Sequence, residues 1–157
     1  MAPSPYHILF FYRTSAGVVK YTEWESGIGW RTTPISLGKP TGTTIASELS
    51  AVAREDTDIA VFGVSANNKL WVKMWSIANK SDWSDTTWAE VPGLGSVKIA
   101  KPAVAAVYWS QFSDTTPHTF PHSGLVAPDG TNIVHAFAPS FPPQYTDISY
   151  GVVTEET

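Results

Sequence analysis

The 157-residue chain is 43% hydrophobic and 13% aromatic, with only 15% charged residues and a net charge of -4. This composition is typical of one globular domain with a sizeable core. The lysines and arginines are scattered and form no cluster that could neutralise phosphates, so we expect no nucleic-acid partner. The lack of cysteine excludes a disulfide framework, a thiolate nucleophile and a cysteine-ligated metal.

The N-terminal region does not have the pattern of a targeting segment. Its hydrophobic run, residues 8–12, has five residues and follows no basic region, so we expect no signal peptide. No stretch reaches the roughly 20 apolar residues of a transmembrane helix, so we expect no membrane span. The simplest expectation is a cytoplasmic protein, or one that is secreted without a signal peptide.

Two segments of the chain share one pattern. Residues 8–24, ILFFYRTSAGVVKYTEW, align without a gap on residues 59–75, IAVFGVSANNKLWVKMW, at an offset of 51. Each copy reads as an apolar strand, a small or Asn/Gly turn and a second strand ending in Trp, which predicts a β-hairpin. Such self-similarity is typical of propellers and other stacked β-units. The coinciding large residues are Ile8 and Ile59, Phe11 and Phe62, and Trp24 and Trp75.

Residues 43–55, between the two hairpins, allow two interpretations. Their apolar residues recur at roughly helical spacing, but residues 49–54 also fit a strand that leads into a turn at 55–58. A similar segment, PAVAAV at residues 102–107, opens with Pro and follows the second hairpin. Because similar segments in similar places should share a structure, we favour a strand in both.

The last third of the chain contains a less regular copy of the unit. Residues 125–127 and 133–137 are strand candidates that flank a strong turn signal containing Asp-Gly. We expect a loop rich in Ser, Thr, Pro and His at residues 110–123, and a last strand at 147–153.

These observations predict a single all-β domain over residues 1–157, built from propeller-type blades of antiparallel strands. The three repeat units are residues 6–48, 49–99 and 100–153. Three blades cannot close a ring, and open sheet edges favour aggregation. We therefore expect a homo-oligomer, or a larger parent protein, to complete the fold.

The order of residues within the units is similar to a known repeat. Residues 58–76, DIAVFGVSANNKLWVKMWS, are followed by a Trp and then by Gly-Leu-Gly, and the first unit closes on Gly29 and Trp30. The second unit resembles the blade of bacterial and fungal propeller lectins, and the first resembles that of the fucose-binding propeller lectins. The resemblance covers residues 7–107 and implies a propeller fold and binding of fucose-like or methylated sugars.

The resemblance also implies where a sugar would bind. In the fucose-binding lectins, an Arg in the first hairpin strand and a Glu in the second hold the sugar hydroxyls. Phe10 and Tyr21 stand at these positions here, and the nearest charged residues are Arg13 and Glu23. Glu23 shares a strand face with Tyr21, so it can serve, whereas Arg13 needs a bulge or a register difference. The second unit has valines at both positions.

Carbohydrate binding also follows from the residue types themselves. A sugar ring packs its C–H face on an aromatic ring, and its hydroxyls need planar polar partners. Trp30, Trp83 and Trp88 each lie near a charged residue, and for them sugar contact and packing both remain open. Trp71 could form a ligand shelf or an inter-blade contact, whereas Trp24 and Trp75 are expected to pack. The candidate ligand-binding residues are Arg13, Glu23, Trp30, Arg31, Trp71, Trp83 and Trp88.

We expect a carbohydrate-binding protein, a lectin for fucosylated or methylated glycans, with no cofactor, no metal and no catalytic residue. One alternative is a small enzyme with an aromatic pocket, in which His118, His122 or His135 acts as acid or base. Pro117 and Pro121 forbid a helix that would place the first two histidines on one face as zinc ligands. A second alternative is a structural module that assembles through its open edges.

Overall fold

The computed structural model describes residues 7–54, 58–76, 87–91, 105–113, 116–128, 133–138 and 149–153. Side chains are described for residues 7–53, 59–75 and 87–91. Every regular element in this part of the chain is a β-strand, and all strand pairs are antiparallel. The predicted all-β class is therefore confirmed. The described residues include no helix that is long and apolar enough to cross a membrane.

The first sheet contains four strands. They are β1 (His7–Arg13), β2 (Val19–Glu25), β3 (Gly29–Trp30) and β4 (Ile35–Gly38). β2 pairs with β1 on one side, and with both β3 and β4 on the other. This hairpin and its two short partners carry most of the candidate site.

The second sheet follows the chain in a simple meander. Its strands are β5 (Ile45–Arg54), β6 (Asp58–Ser65), β7 (Leu70–Ser76) and β8 (Ala89–Glu90), in the order β5-β6-β7-β8. The strand predicted at residues 49–54 is present as part of β5, and the helical interpretation was wrong. β5 lies next to β1 of the first sheet and next to β9 of the third.

The third sheet is also a meander. It contains β9 (Ala105–Ser113), β10 (Thr116–Pro128), β11 (Ile133–Ala138) and β12 (Ser149–Val153), and its order is β12-β11-β10-β9. The hairpin predicted around the Asp-Gly turn and the last predicted strand are both present, as β10–β11 and β12.

The predicted loop at residues 110–123 was wrong, because β9 and β10 occupy most of that segment. Proline is tolerated in a strand where its missing N–H is not needed by a neighbour. Pro117 and Pro121 lie in the part of β10 that pairs with β9 alone, and the β9–β10 register shifts between Thr116 and Phe120. Sheet edges and irregularities of this kind accommodate proline.

The two aligned segments form hairpins with the same register. Ile8 is opposite Trp24 in the first hairpin, and Ile59 is opposite Trp75 in the second. Every other cross-strand pair of the first hairpin likewise has its counterpart 51 residues later in the second. The turns match as well, because Gly17 (φ 72°) and its counterpart Asn68 (φ 63°) are both left-handed. These two residue types adopt that conformation more readily than others, which explains why both sequences close the same turn.

Residues 44 and 45, which lead into β5, are hydrogen-bonded to both hairpin turns. The Ile45 amide donates to the carbonyl of Gly17 at 3.3 Å, and the Ala66 amide donates to the carbonyl of Thr44 at 2.9 Å. The first two sheets are thereby tied together at the turn end of their hairpins.

The main core lies between the first and second sheets. By the alternation of side chains, Leu9, Val19 and Tyr21 share one face of the first hairpin, which we call the inner face. It packs against Ile59 and Val61 of the second sheet in one buried cluster. The second sheet is buried on its other face too, where the side chains are Ala60, Phe62, Leu70 and Val72.

Candidate functional site

Three polar side chains meet at the end of the first sheet away from the hairpin turn. Glu23 of β2 accepts a hydrogen bond on Oε2 from His7 Nε2 at 3.0 Å when that nitrogen is protonated, and Arg31 Nε contacts Glu23 Oε1. Both carboxylate oxygens are therefore engaged, one by His7 of β1 and the other by Arg31, which directly follows β3. We call His7, Glu23 and Arg31 the polar cluster.

The backbone holds Arg31 beside Glu23. The chain leaves β2 through a tight turn, in which the Ile28 amide donates to the Glu25 carbonyl at 3.1 Å. The Arg31 amide then donates to the Glu23 carbonyl at 2.8 Å, and the Thr22 hydroxyl donates to the Arg31 carbonyl at 2.9 Å. Because both backbone groups of Arg31 are bonded to β2, its side chain starts from a fixed position.

The polar cluster is sheltered on one side and open on the other. The Glu23 side chain is 17% exposed, whereas that of Arg31 is 57% exposed. A guanidinium has five N–H donors, and the Nε contact with Glu23 uses only one. The cluster can therefore present further donors to a ligand while its carboxylate stays in place.

Trp30 precedes Arg31 and lies at the border of the cluster. It is 53% exposed and is the cross-strand partner of Trp24, so by alternation it emerges on the opposite face from Arg31. β3 is the last strand in the order β1-β2-β3. A ligand that lies across the edge of β3 can contact the Trp30 ring and the Arg31 guanidinium together.

Arg13 lies far from this cluster. It pairs with Val19 at the turn end of the hairpin, four residues along β2 from Glu23, or about 13 Å at 3.3 Å per residue. The β1–β2 register contains no shift that would shorten this distance. Arg13 instead donates from Nε to the Ser47 carbonyl at 3.2 Å, which links the first sheet to β5.

The other predicted tryptophans have different surroundings. Trp88 is 8% exposed, belongs to the core cluster and donates from its indole nitrogen to the Leu37 carbonyl at 2.9 Å. Trp71 packs partly against the same cluster and donates to the Ser65 hydroxyl at 3.1 Å. Trp75 packs partly against it as well, and Trp24 is half-buried. Trp83 lies outside the described residues.

His7 and Lys73 are two residues that the sequence reasoning missed. His7 could have been found from the hairpin register, which pairs His7 with Glu25 and so makes it a diagonal neighbour of Glu23 on the same face. Lys73 is buried and donates to the Leu37 carbonyl at 3.1 Å. Burial lowers its pKa below the ordinary value of 10.5. Its signal was a charged residue in the middle of the apolar run LWVKMW.

The sequence matches no protein-family model and none of the curated proteins with which it was compared. Within the described ranges, no three His, Cys, Asp or Glu side chains are grouped as metal ligands would be. The side chains of His118, His122 and His135, on which the enzyme alternative depends, lie outside the described ones. The polar cluster and its neighbour Trp30 are therefore the best-defined candidate for a binding site.

Proposed function

We propose that this protein is a lectin, which binds neutral glycans at the polar cluster and the neighbouring Trp30. One observation carries the proposal. The Glu23 carboxylate is held between His7 and Arg31, while Trp30, next to Arg31 in the chain but on the other face of the edge strand, is more than half exposed.

The chemistry of the cluster suits a hydroxyl-rich ligand. A carboxylate accepts hydrogen bonds from hydroxyl groups, and a guanidinium donates to them in a planar fork. The indole face of Trp30 offers the apolar surface on which the C–H side of a sugar ring can pack. Since the charges of Glu23 and Arg31 cancel, the pair favours a neutral ligand over an ionic one. Fucosylated or methylated glycans meet these requirements, and the resemblance to fucose-binding lectins favours them.

The proposed architecture is a set of propeller-type blades that a homo-oligomer completes. Three sheets of four antiparallel strands support it, together with the central position of β5 between β1 and β9. Several weak sugar sites in one assembly would bind a multivalent glycan surface far more tightly than a single site.

Glycan-array screening followed by tryptophan fluorescence titration tests the proposal. We expect the wild-type chain to bind neutral or fucosylated glycans, and Glu23→Gln and Trp30→Ala each to weaken that binding. Glu48→Gln, an exposed carboxylate on β5, is the matched control and should bind as the wild type does. The proposal fails if no neutral glycan binds, or if both cluster variants bind as tightly as the control.

A further inference from the structure

The two aligned hairpins differ sharply in how much of one face is exposed. Ile8 is 38% exposed and Phe10 is 57% exposed, whereas their counterparts Ile59 and Val61 are 2% and 0% exposed. The strand register is the same in both hairpins, so the difference does not come from local structure. It comes from what lies over the face.

In the second sheet, the first sheet covers this face. Ile59 and Val61 belong to the buried cluster with Leu9 and Tyr21 of the inner face. Within the chain, therefore, the inner face of one hairpin packs on the opposite face of the next. Among the described residues, no sheet lies over the face of the first hairpin that corresponds to Ile59 and Val61, since Ile8 and Phe10 are exposed there.

We call this surface the outer face and define it by its apolar and aromatic residues Ile8, Phe10, Tyr12 and Trp24. The register places Thr22 and Lys20 on the same face, and Trp30 lies at its edge beside Trp24. The Phe10 and Tyr12 rings are stacked with their centroids 6.1 Å apart, and Ile8 is the cross-strand partner of Trp24. Exposed apolar and aromatic side chains grouped on one sheet face are typical of protein interfaces rather than of free surface.

We propose that the outer face binds a second copy of this chain. The third sheet of that copy would cover the outer face of the first sheet, in the same way that the first sheet covers the second sheet within one chain. The first and third sheets are the two ends of the chain's own arrangement, because β5 lies next to both β1 and β9. A contact between the two ends continues the packing already present within the chain. It is head-to-tail, so it closes into a ring when the rotation between copies permits.

This inference rests on the blade arrangement in the proposed function, but it does not depend on sugar binding. It also differs from a like-face dimer, in which two outer faces would meet. In the core that is described, the first and second sheets join unlike faces of the hairpin. The head-to-tail contact uses the same combination of unlike faces.

The first experiment measures the mass of the full chain in solution by light scattering, without sugar. We expect the wild type to be an oligomer and Phe10→Glu to be a monomer, because a carboxylate on the outer face would be buried without a partner. Ile28→Glu is the matched control, since Ile28 is 75% exposed but lies in the β2–β3 turn. It should remain an oligomer. A monomeric wild type, or an oligomeric Phe10→Glu, would overturn the proposal.

The second experiment separates head-to-tail from like-face contact by native mass spectrometry of wild type mixed with Phe10→Glu. A head-to-tail contact leaves the variant's third sheet intact, so we expect some assemblies to contain wild type with one variant copy at the end, beside assemblies of wild type alone. A like-face contact would instead give assemblies of wild type alone beside variant monomers, which contradicts the proposal. Loss of glycan binding with the oligomer intact would refute the lectin function and leave the interface standing.

Discussion

Lys73 and Trp88 donate to one and the same acceptor, the carbonyl oxygen of Leu37, at 3.1 and 2.9 Å. Lys73 lies on β7 of the second sheet, Trp88 immediately precedes β8 of the same sheet, and the acceptor belongs to β4 of the first. A carbonyl oxygen has two lone pairs and can accept both bonds. The shared acceptor therefore joins the first two sheets within their core.

Trp88→Phe should destabilise the protein because it removes one of these two bonds and leaves space beside the core. We expect the free energy of unfolding to fall by about 1–3 kcal/mol, as measured by urea denaturation. Trp30→Phe is the control, since a similar change at an exposed position should cost less than about 0.5 kcal/mol. Equal stability of the two variants would show that the Leu37 bond contributes nothing.

Lys73→Met should change how stability depends on pH. Burial lowers the pKa of Lys73 in the folded state below its value of 10.5 in the unfolded chain. Between these two pKa values the unfolded state binds more protons, so the wild type gains stability as pH rises. Lys73→Met lacks this gain.

The measurement is the difference in unfolding free energy between wild type and Lys73→Met, from neutral pH up to pH 10.5. We expect the difference to move in favour of the wild type as pH rises through the lowered pKa. The same difference for Trp30→Phe should stay level, because that substitution removes no titratable group and lies at an exposed position. A level difference for Lys73→Met as well would contradict the prediction.

Gly17→Ala should be costly for two separable reasons. The left-handed backbone at φ 72° costs a non-glycine residue about 1–2 kcal/mol. In addition, a Cβ atom here would lie 2.5 Å from Thr44 Cβ, so the neighbouring chain must shift, which costs about 1–3 kcal/mol more. Gly27→Ala isolates the first term, because Gly27 has φ 83° and open space around it. The midpoint temperature of thermal unfolding should be lower for Gly17→Ala than for Gly27→Ala. The reverse order would refute the destabilising contact with Thr44.

Arg31→Lys should weaken glycan binding although it keeps the charge. An ammonium lacks the planar fork of donors, so it cannot hold Glu23 and a ligand hydroxyl in the same geometry. We expect about a tenfold loss of affinity by fluorescence titration, corresponding to about 1.4 kcal/mol. Lys39→Arg, the reverse change at an exposed position, should leave affinity unchanged. A wild-type affinity for Arg31→Lys would remove Arg31 from the site.

Much of the local structure could be predicted from the sequence. The offset of 51 aligned Gly17 with Asn68, and both occupy the same left-handed turn position. Local patterns decide such features, because strand alternation and turn chemistry involve neighbours in the chain. Two of the three residues of the polar cluster were predicted, since Glu23 and Arg31 were candidates and His7 was not.

Burial of individual tryptophans could not be predicted in the same way. Trp30 and Trp88 both follow small or polar residues and both precede a charged residue closely, yet one is exposed and the other lies in the core. What differs is whether another sheet lies over the side chain, and that depends on segments far away in sequence. Trp88 bonds to Leu37, which is 51 residues away.

The hydrogen bonds of residues 44 and 45 have a mechanical consequence. They fix the two sheets at the hairpin turns through Gly17 and Ala66, whereas the polar cluster lies at the opposite end of the first hairpin. These bonds do not reach the far end of the hairpin, where Leu9 is the cross-strand partner of Glu23 and packs with Ile59 in the core cluster. The two sheets are therefore joined by backbone hydrogen bonds at one end and by apolar packing at the other, so disruption of the core beside Leu9 would also loosen the support of Glu23.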